Sequence, residues 1–372
     1  MVMRFTPLPR THGFRPDYIR ISGVITSVSA SDETIWLDIP QRLSADVPDR
    51  LDGWLLWLLP HAFETQQELI LEGPVDPELL KNAKKLMEVW SRWRPGHRPV
   101  RVHSEPDDER STTKQTGRTG LFFTAGVDSF FSLFHHDEAT RLFPGQGQRP
   151  VDDLIYVWGF DIPLGNTDAN RVKQATLADI AQKTGKSLVT VMTNLRETGV
   201  QEHWGEVMHG PALGGVGLHL GNRWRTVLLS SGLAPGDTQR HGTSPLTDPL
   251  LSSLATHTVP YGADYDRFEK LSYIMNFAVV LDTLHVCWEE RSQNNCSRCE
   301  KCYRTMLALD VLGVREKVTT FSRASLDLGR LAAVWKDKPQ IALMYERLRS
   351  YAIAADRPDS VAAIDACLSR RQ

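Results

Sequence analysis

Apolar and polar residues alternate with two different periods along the chain, and the first part of the chain mixes both. Residues Tyr18 to Ile39 alternate in the strand period on either side of a short polar break, which predicts a hairpin. Glu68 to Leu71 predicts another strand, and Asp76-Pro77 opens a predicted helix whose apolar residues recur every three or four positions. Val100 to Val102 predicts a returning strand. We therefore expect a small α+β domain over residues 1–104.

The pattern changes after residues 105–119, a polar stretch without a large apolar residue that we interpret as a linker. Beyond it, strands and helices are predicted in turn, which is typical of parallel βαβ units. We expect an α/β domain over residues 120–312, with a parallel sheet covered by helices on both faces, and a helical region over residues 313–372. The predicted strands are Leu121–Thr124, Leu154–Phe160, Ser187–Met192 and Thr226–Ser230, and the predicted helices are Ser129–Phe134, Ala169–Lys183 and Pro211–Leu220.

Composition narrows the class of partner and the compartment. The formal net charge is −2, so no global basic field favours nucleic acid or a membrane surface as a partner. The most apolar run, Trp54 to Leu59, is far shorter than the ~20 residues of a membrane span. Met1 to Arg10 lacks the apolar core of a signal peptide, and five cysteines in a long chain do not indicate a disulfide framework. We expect a cytoplasmic protein.

The carboxyl ends of the predicted parallel strands carry small or polar residues, and ligands gather at such ends. The first end, Leu121 to Ser129, is a strand followed by a sharp turn into a helix, which directs backbone N–H groups outward and suits a phosphate. No Walker lysine follows Gly126. Asp128 inside this turn would repel a bare phosphate, so it indicates a bridging Mg²⁺, or else it simply starts the helix.

Four of the five cysteines form a second motif. Cys287, Cys296, Cys299 and Cys302 give the spacing C-x8-C-x2-C-x2-C, which predicts a closed tetrahedral zinc site with a structural role. An iron–sulfur cluster uses the same ligands, and unliganded thiols are the third interpretation. Zinc is favoured over a cluster. The site would fix the loop Trp288–Asn295 and the helix that follows.

Thr124-Ala125-Gly126-Val127-Asp128-Ser129 resembles the SGGxDS loop of the N-type ATP pyrophosphatases, the PP-loop superfamily. Together with the four cysteines, preceded by Thr283 to Cys287, it most resembles the 7-cyano-7-deazaguanine synthase family of queuosine biosynthesis. The resemblance covers about residues 119 to 312. Thr124 and Ala125 stand where the family has serine and glycine, and alanine is held less easily at positive φ.

The resemblance implies an adenine nucleotide alpha hydrolase-like fold and a set of ATP-binding residues. It implies that Asp128 holds Mg²⁺ and that Lys270 and Arg304 stabilise charge on the phosphates, with these three as the catalytic residues. The irregular run Ser230 to Asp248 would shape the acceptor pocket. The implied ATP-binding residues are Thr124, Ala125, Gly126, Val127, Asp128, Ser129, Phe160, Asp161 and Ser230.

The implied reaction is adenylation of a carboxylate by ATP, with release of pyrophosphate. An amine or ammonia then displaces AMP, which gives an amide or, in the synthase family, a nitrile. The substrate would be a small carboxylate or a deazapurine-like molecule, and the implied cofactors are ATP, Mg²⁺ and Zn²⁺. Two alternatives stay open: a tRNA-thiolating ATP pyrophosphatase, and a catalytically silent nucleotide-binding scaffold. The N-terminal domain would also suit a protein partner in a multi-protein system such as antiviral defence.

Overall fold

The computed structural model describes residues 1–27, 30–105, 116–144, 148–232, 240–287, 289, 294–324, 326–335 and 338–370. Three predicted irregular stretches fall partly outside this set: positions 106–115 of the linker, positions 233–239 of the run predicted to shape the acceptor pocket, and positions 288 and 290–293 of the loop between the first two cysteines.

One mixed sheet of ten strands runs through the described part of the chain, in the order β10-β9-β6-β7-β8-β3-β2-β1-β4-β5. The strands from β10 to β8 run parallel to one another, while antiparallel pairing joins β8 to β3, β3 to β2 and β2 to β1. The sequence prediction of a largely parallel sheet is thus confirmed. The strands are β1 (Val2–His12), β2 (Tyr18–Ser27), β3 (Ala30–Pro40), β4 (Glu68–Pro74), β5 (Val102–Glu105), β6 (Arg118–Phe122), β7 (Asp153–Trp158), β8 (Ser187–Thr193), β9 (Trp224–Ser230) and β10 (His257–Tyr261).

Helices cover both faces of the sheet, as the sequence predicted. The central strand β7 is buried along its whole length, and its alternate side chains enter two different cores. Ile155 and Val157 pack with α1, α2 and α5 on one face, while Leu154 and Tyr156 pack with α3, α4 and the C-terminal helices on the other. The helices are α1 (Asp52–Glu64), α2 (Pro77–Trp93), α3 (Val127–Leu142), α4 (Thr167–Thr184), α5 (His209–His219), α6 (Arg267–Ile274), α7 (Ala278–Thr283), α8 (Glu300–Val311), α9 (Leu331–Val334), α10 (Pro339–Ala354) and α11 (Pro358–Leu368).

The N-terminal region contains the predicted hairpin, the strand at Glu68 and the helix after Asp76. Asp76 caps α2 by accepting hydrogen bonds from the backbone N–H groups of Glu78 and Leu79, at 2.9 and 3.0 Å. Two elements were not predicted. Strand β1 pairs with both β2 and β4, and α1 is buried on almost every side, so it lacks the one-sided apolar stripe by which a surface helix is recognised.

The N-terminal strands continue the sheet of the α/β region. Strand β3 pairs with β8 through Leu37 opposite Thr193 and Asp38 opposite Met192. On the adjoining face α1 packs closely on α5, where a Cβ on Gly215 would lie 2.3 Å from the Trp57 ring. The predicted domain limits therefore separate two segments whose strands share one hydrogen-bonded sheet.

A buried carboxylate fixes the amino ends of the central strands. Asp153 accepts hydrogen bonds from the guanidinium groups of Arg118 and Arg223, at 2.8 to 3.0 Å, and from the Trp224 indole at 2.8 Å. Burial favours the neutral acid, but these donors hold the pKa of Asp153 below its ordinary value. Such pairing aligns β6, β7 and β9 and leaves their opposite ends to form a site. No described helix has both the length and the apolarity needed to cross a bilayer.

Candidate nucleotide site

A cavity of about 580 Å³ lies at the carboxyl ends of β6, β7 and β9, a size that suits a nucleotide or a molecule of similar bulk. It brings together residues as far apart in the sequence as Phe122 and Lys301. Ala125 is buried behind this lining. The lining includes eight of the nine predicted ATP-binding residues: Thr124, Gly126, Val127, Asp128, Ser129, Phe160, Asp161 and Ser230.

The turn between β6 and α3 has the geometry of an anion cradle. Gly126 is the N-cap of α3, and Ser129 Oγ accepts from the Gly126 N–H and donates to the Gly126 carbonyl, both at 3.1 Å. The first N–H groups of a helix have no acceptor within the helix, so α3 offers donors and a positive dipole end to the cavity. Ala125 has φ of 59°, a left-handed conformation that favours glycine.

Asp128 lies at the cavity among cations. Its Oδ2 is 2.7 Å from Arg267 Nη1, and its Oδ1 is 3.4 Å from Lys270 Nζ. Burial opposes ionisation of Asp128, but Arg267, Lys270 and Lys301 outweigh it and hold its pKa below the ordinary value. Each carboxylate oxygen therefore contacts one basic side chain, and the Mg²⁺ predicted for Asp128 would share this carboxylate with Arg267 and Lys270.

The other two predicted catalytic residues lie behind the cavity. Lys270 is buried, and its ammonium also donates to the Ser231 carbonyl at 2.6 Å, so it ties the end of β9 to the β6–α3 turn. Arg304 is buried and pairs with Glu300, one turn earlier on α8, at 2.9 Å. Neither side chain belongs to the cavity lining. Their observed contacts are structural, and a direct role on phosphate stays a prediction.

Basic residues outside the predicted catalytic set line the cavity instead. Arg267, Lys301 and Lys173 converge there from α6, α8 and α4. Burial lowers the pKa of Lys301 to about 8, with Arg267 and Arg304 adding to the effect. Burial also lowers the pKa of Lys173 to about 8, and its Nζ lies 3.3 Å from His285 Nδ1. A bound anion would relieve this crowding of positive charge.

The end of β7 requires a glycine. Gly159 has φ of 108°, and a Cβ there would lie 2.3 Å from the Thr193 carbonyl oxygen at the end of the neighbouring strand β8. This close approach brings Phe160 and Asp161 to the cavity. At the end of β9, Ser230 Oγ is buried and has no hydrogen-bond partner among the described residues, so it is available to a ligand.

The four predicted metal ligands come together next to this cavity. Their sulfur atoms all lie within 4.8 Å of one another, and the Cys287–Cys299 and Cys296–Cys302 pairs are 3.9 and 3.8 Å apart. Sulfurs placed ~2.3 Å from one tetrahedral zinc ion are about 3.8 Å apart, so the cluster could hold a metal ion such as zinc. The backbone N–H groups of Arg298 and Cys299 donate to Cys296 Sγ, at 3.4 and 3.3 Å. These donors suit a thiolate.

The cysteine cluster and the β6–α3 turn share a backbone contact. The His285 N–H donates to the Ala125 carbonyl at 2.9 Å, and Cys287, two residues later, lines the cavity. Lys301 follows Glu300 on α8 and lies between two of the cysteines in sequence. A metal ion at the cysteines would therefore fix two segments of the cavity wall.

Comparison with known proteins identifies no relative: no protein-family model, curated protein or solved structure matches the chain significantly. The class of the protein is accordingly defined by two features. Its α/β fold is a mixed, mostly parallel sheet with helices on both faces, and a cationic cavity lies at the carboxyl ends of the parallel strands.

Proposed function

We propose that the chain is an ATP pyrophosphatase of the PP-loop type that adenylates a carboxylate. The observation that carries this proposal is the opening of the α3 N-terminus into a nucleotide-sized cavity that Arg267, Lys301 and Lys173 also line. Helix N-termini and clustered cations favour phosphate. The sequence of the turn, which resembles the PP-loop, supports cleavage between the α- and β-phosphates.

The phosphates would lie against the turn. The N–H groups at the start of α3 and the Thr124 hydroxyl would receive the pyrophosphate part, and the Ser129 hydroxyl would join them by exchanging its bond to the Gly126 carbonyl for one to the ligand. Arg267 and Lys301 would neutralise the charge of the pyrophosphate. Asp128 would act mainly by orienting Arg267, which it contacts at 2.7 Å. Mg²⁺, if the reaction uses it, would be held chiefly by phosphate oxygens, because both oxygens of Asp128 already contact cations.

The chemical step would join a substrate carboxylate oxygen to the α-phosphorus and break the bond to the bridging oxygen of pyrophosphate. The leaving pyrophosphate carries the electron pair of that bond, so the cations at the turn stabilise the charge that develops. An amine or ammonia would then attack the acyl carbon, lose a proton and release AMP, which leaves an amide. Ser230 Oγ faces the same cavity and offers one hydrogen bond to either substrate.

Zinc would be structural. Four thiolates complete a tetrahedral coordination shell and leave no position for water or substrate. All four sulfur atoms lie within 4.8 Å of one another, which fits a single ion, whereas a cluster with sulfide ions between several irons needs some of its cysteines farther apart. Bound zinc would hold His285 against the turn and Lys301 against the phosphates.

One observation favours a second function, a nucleotide-binding scaffold without turnover. The pairing of both Asp128 oxygens with basic side chains leaves this carboxylate occupied in the absence of a metal ion. A scaffold would bind ATP at the same turn but would not exchange pyrophosphate into it.

The test is exchange of labelled pyrophosphate into ATP across a panel of small carboxylic acids. We expect exchange with at least one acid and a loss of about 100-fold in Arg267→Gln, the effect of removing a donor that stabilises transition-state charge. Arg92→Gln, which changes an exposed arginine on α2, is the matched control and should retain full exchange. ATP binding without pyrophosphate exchange for any acid would refute the enzyme proposal and favour the scaffold. Absence of ATP binding would refute both proposals.

A further inference from the structure

One wall of the cavity comes from the connection between β8 and α5, two strands away from the strand that precedes α3. Arg196 and Glu197 from this connection and His209 at the start of α5 line the cavity, and we call these three residues the far wall. The Arg196 guanidinium lies over the Trp204 ring at 4.0 Å, and Phe160 meets the same ring edge-on at 5.1 Å. Arginine planes and aromatic rings are surfaces on which nucleobases stack.

The N-terminal strand β3 holds two residues of the far wall, Arg196 and Glu197, in place. Asn194 Oδ1 accepts from the Trp36 N–H at 2.9 Å, and Asn194 Nδ2 donates to the Thr34 carbonyl at 2.8 Å. Glu33 accepts the Gly199 N–H with both carboxylate oxygens, at 3.2 and 3.0 Å. Arg196 and Glu197 therefore lie between two anchor points, and both anchors come from β3.

Strand spacing places the far wall at a definite distance from the phosphate site. The turn that begins α3 follows β6, while the far wall follows β8, two strands along the sheet. Strands are spaced about 4.8 Å apart, so the ends of β6 and β8, from which the two segments leave the sheet, are separated by about 10 Å. A triphosphate at the α3 N-terminus would thus extend its nucleoside across the end of β7, past Phe160, towards Arg196.

We infer that the far wall recognises the nucleoside of ATP and that Glu33 and Asn194 of the β3–β8 junction are its positioning residues. This inference rests on the proposed function, since it assumes that the phosphates occupy the α3 N-terminus. It assigns the N-terminal strands a part in nucleotide selection: they fix the base and ribose, while the α/β region binds the phosphates.

Two ligands separate these contributions, because inorganic tripolyphosphate has the phosphates of ATP without its nucleoside. Binding of each is measured by calorimetry to the full chain. We expect Glu33→Ala and Arg196→Gln each to raise the dissociation constant for ATP about tenfold and that for tripolyphosphate less than twofold. Arg267→Gln should raise the dissociation constants for both ligands. Glu72→Ala is the matched control, because Glu72 pairs with Arg4 and Thr6 on the same N-terminal strands without contacting the far wall.

Hydrogen exchange supplies a second readout that does not depend on any ligand. Peptides from residues 195–208 should exchange faster in Glu33→Ala and Asn194→Ala, with α3 unchanged. The inference is overturned if Glu33→Ala and Arg196→Gln lower the affinities for ATP and tripolyphosphate equally, or if they leave the affinity for ATP unchanged. Wild-type protein that binds neither ligand overturns the proposed function and the inference with it, whereas binding of both ligands with unchanged exchange at 195–208 overturns the positioning role alone.

Discussion

Asp128→Asn tests the claim that this carboxylate organises the cations of the phosphate site. The substitution keeps the size of the side chain but removes its charge, so Arg267 and Lys270 lose their counter-charge in a setting where the Lys270 side chain is 2% exposed. Removing one partner of a buried ion pair costs about 3 to 5 kcal/mol. The unfolding entropy of 372 residues is about 0.8 kcal/mol/K, so the melting temperature should fall by about 4 to 6 °C.

Added pyrophosphate should reverse much of this loss, because the anion replaces the missing carboxylate charge. A ligand at a hundred times its dissociation constant stabilises the folded state by about 2.7 kcal/mol, which is about 3 °C for this chain. The stability difference between wild type and variant should have its full size above the unfolded-state pKa of an aspartate, near 3.9. It should shrink as pH falls through the folded-state pKa of Asp128, which is lower.

The assay is thermal unfolding followed by circular dichroism, with and without pyrophosphate, at several pH values. Asp49→Asn is the control, since Asp49 is fully exposed in its pair with Arg10 and should change the melting temperature by less than about 1 °C. An Asp128→Asn variant that melts with the wild type, or that pyrophosphate stabilises no more than it stabilises the wild type, would refute the reasoning.

Three further predictions address single features. Ala125→Gly should melt within about 1 °C of the wild type, because glycine removes the backbone strain at φ of 59° but also makes the unfolded chain more flexible, and the two effects offset each other. Ala125→Val should melt several degrees lower. Burial raises the pKa of Asp248 to about 7, so this acid binds protons more tightly when folded, and its ionisation removes stability as pH rises from about 4 to 7. Asp248→Asn should therefore be more stable than the wild type at pH 8, by up to about 4 kcal/mol, and equal to it at pH 4 in denaturant titrations. Elemental analysis should find stoichiometric zinc in the wild type and none in Cys299→Ser, and a folded wild type without metal would contradict the zinc proposal.

The order of strands and helices between residues 120 and 230 was predictable because each element carries its own apolar period, whereas the short edge strand β10 was not predicted. The turn at Gly126 was predictable for a similar reason, since its small residues directly follow a buried strand. The partner of a strand at a sheet junction is not encoded locally, and nothing in the sequence around Leu37 indicates that it pairs with Thr193. Only the folded chain shows that the two predicted regions share a sheet.

The basic residues of the cavity show the same limit. Arg267 and Lys173 stand singly on helices and resemble any exposed basic residue in sequence, so only their convergence on one cavity distinguishes them. Lys270, three residues after Arg267, was chosen on family resemblance, and the structure buries it against the Ser231 carbonyl. The sequence indicated the helix that supplies charge to the site but not which of its side chains faces the cavity.

The structure of the protein with α,β-methylene ATP, which cannot be cleaved between its α- and β-phosphates, tests the central claim most directly. The account predicts the β-phosphate within hydrogen-bond distance of the N–H groups that begin α3, with Arg267 on the phosphates and the nucleoside extending across Phe160. A triphosphate bound elsewhere on the chain, or an α3 N-terminus that stays free at saturating nucleotide, would contradict it.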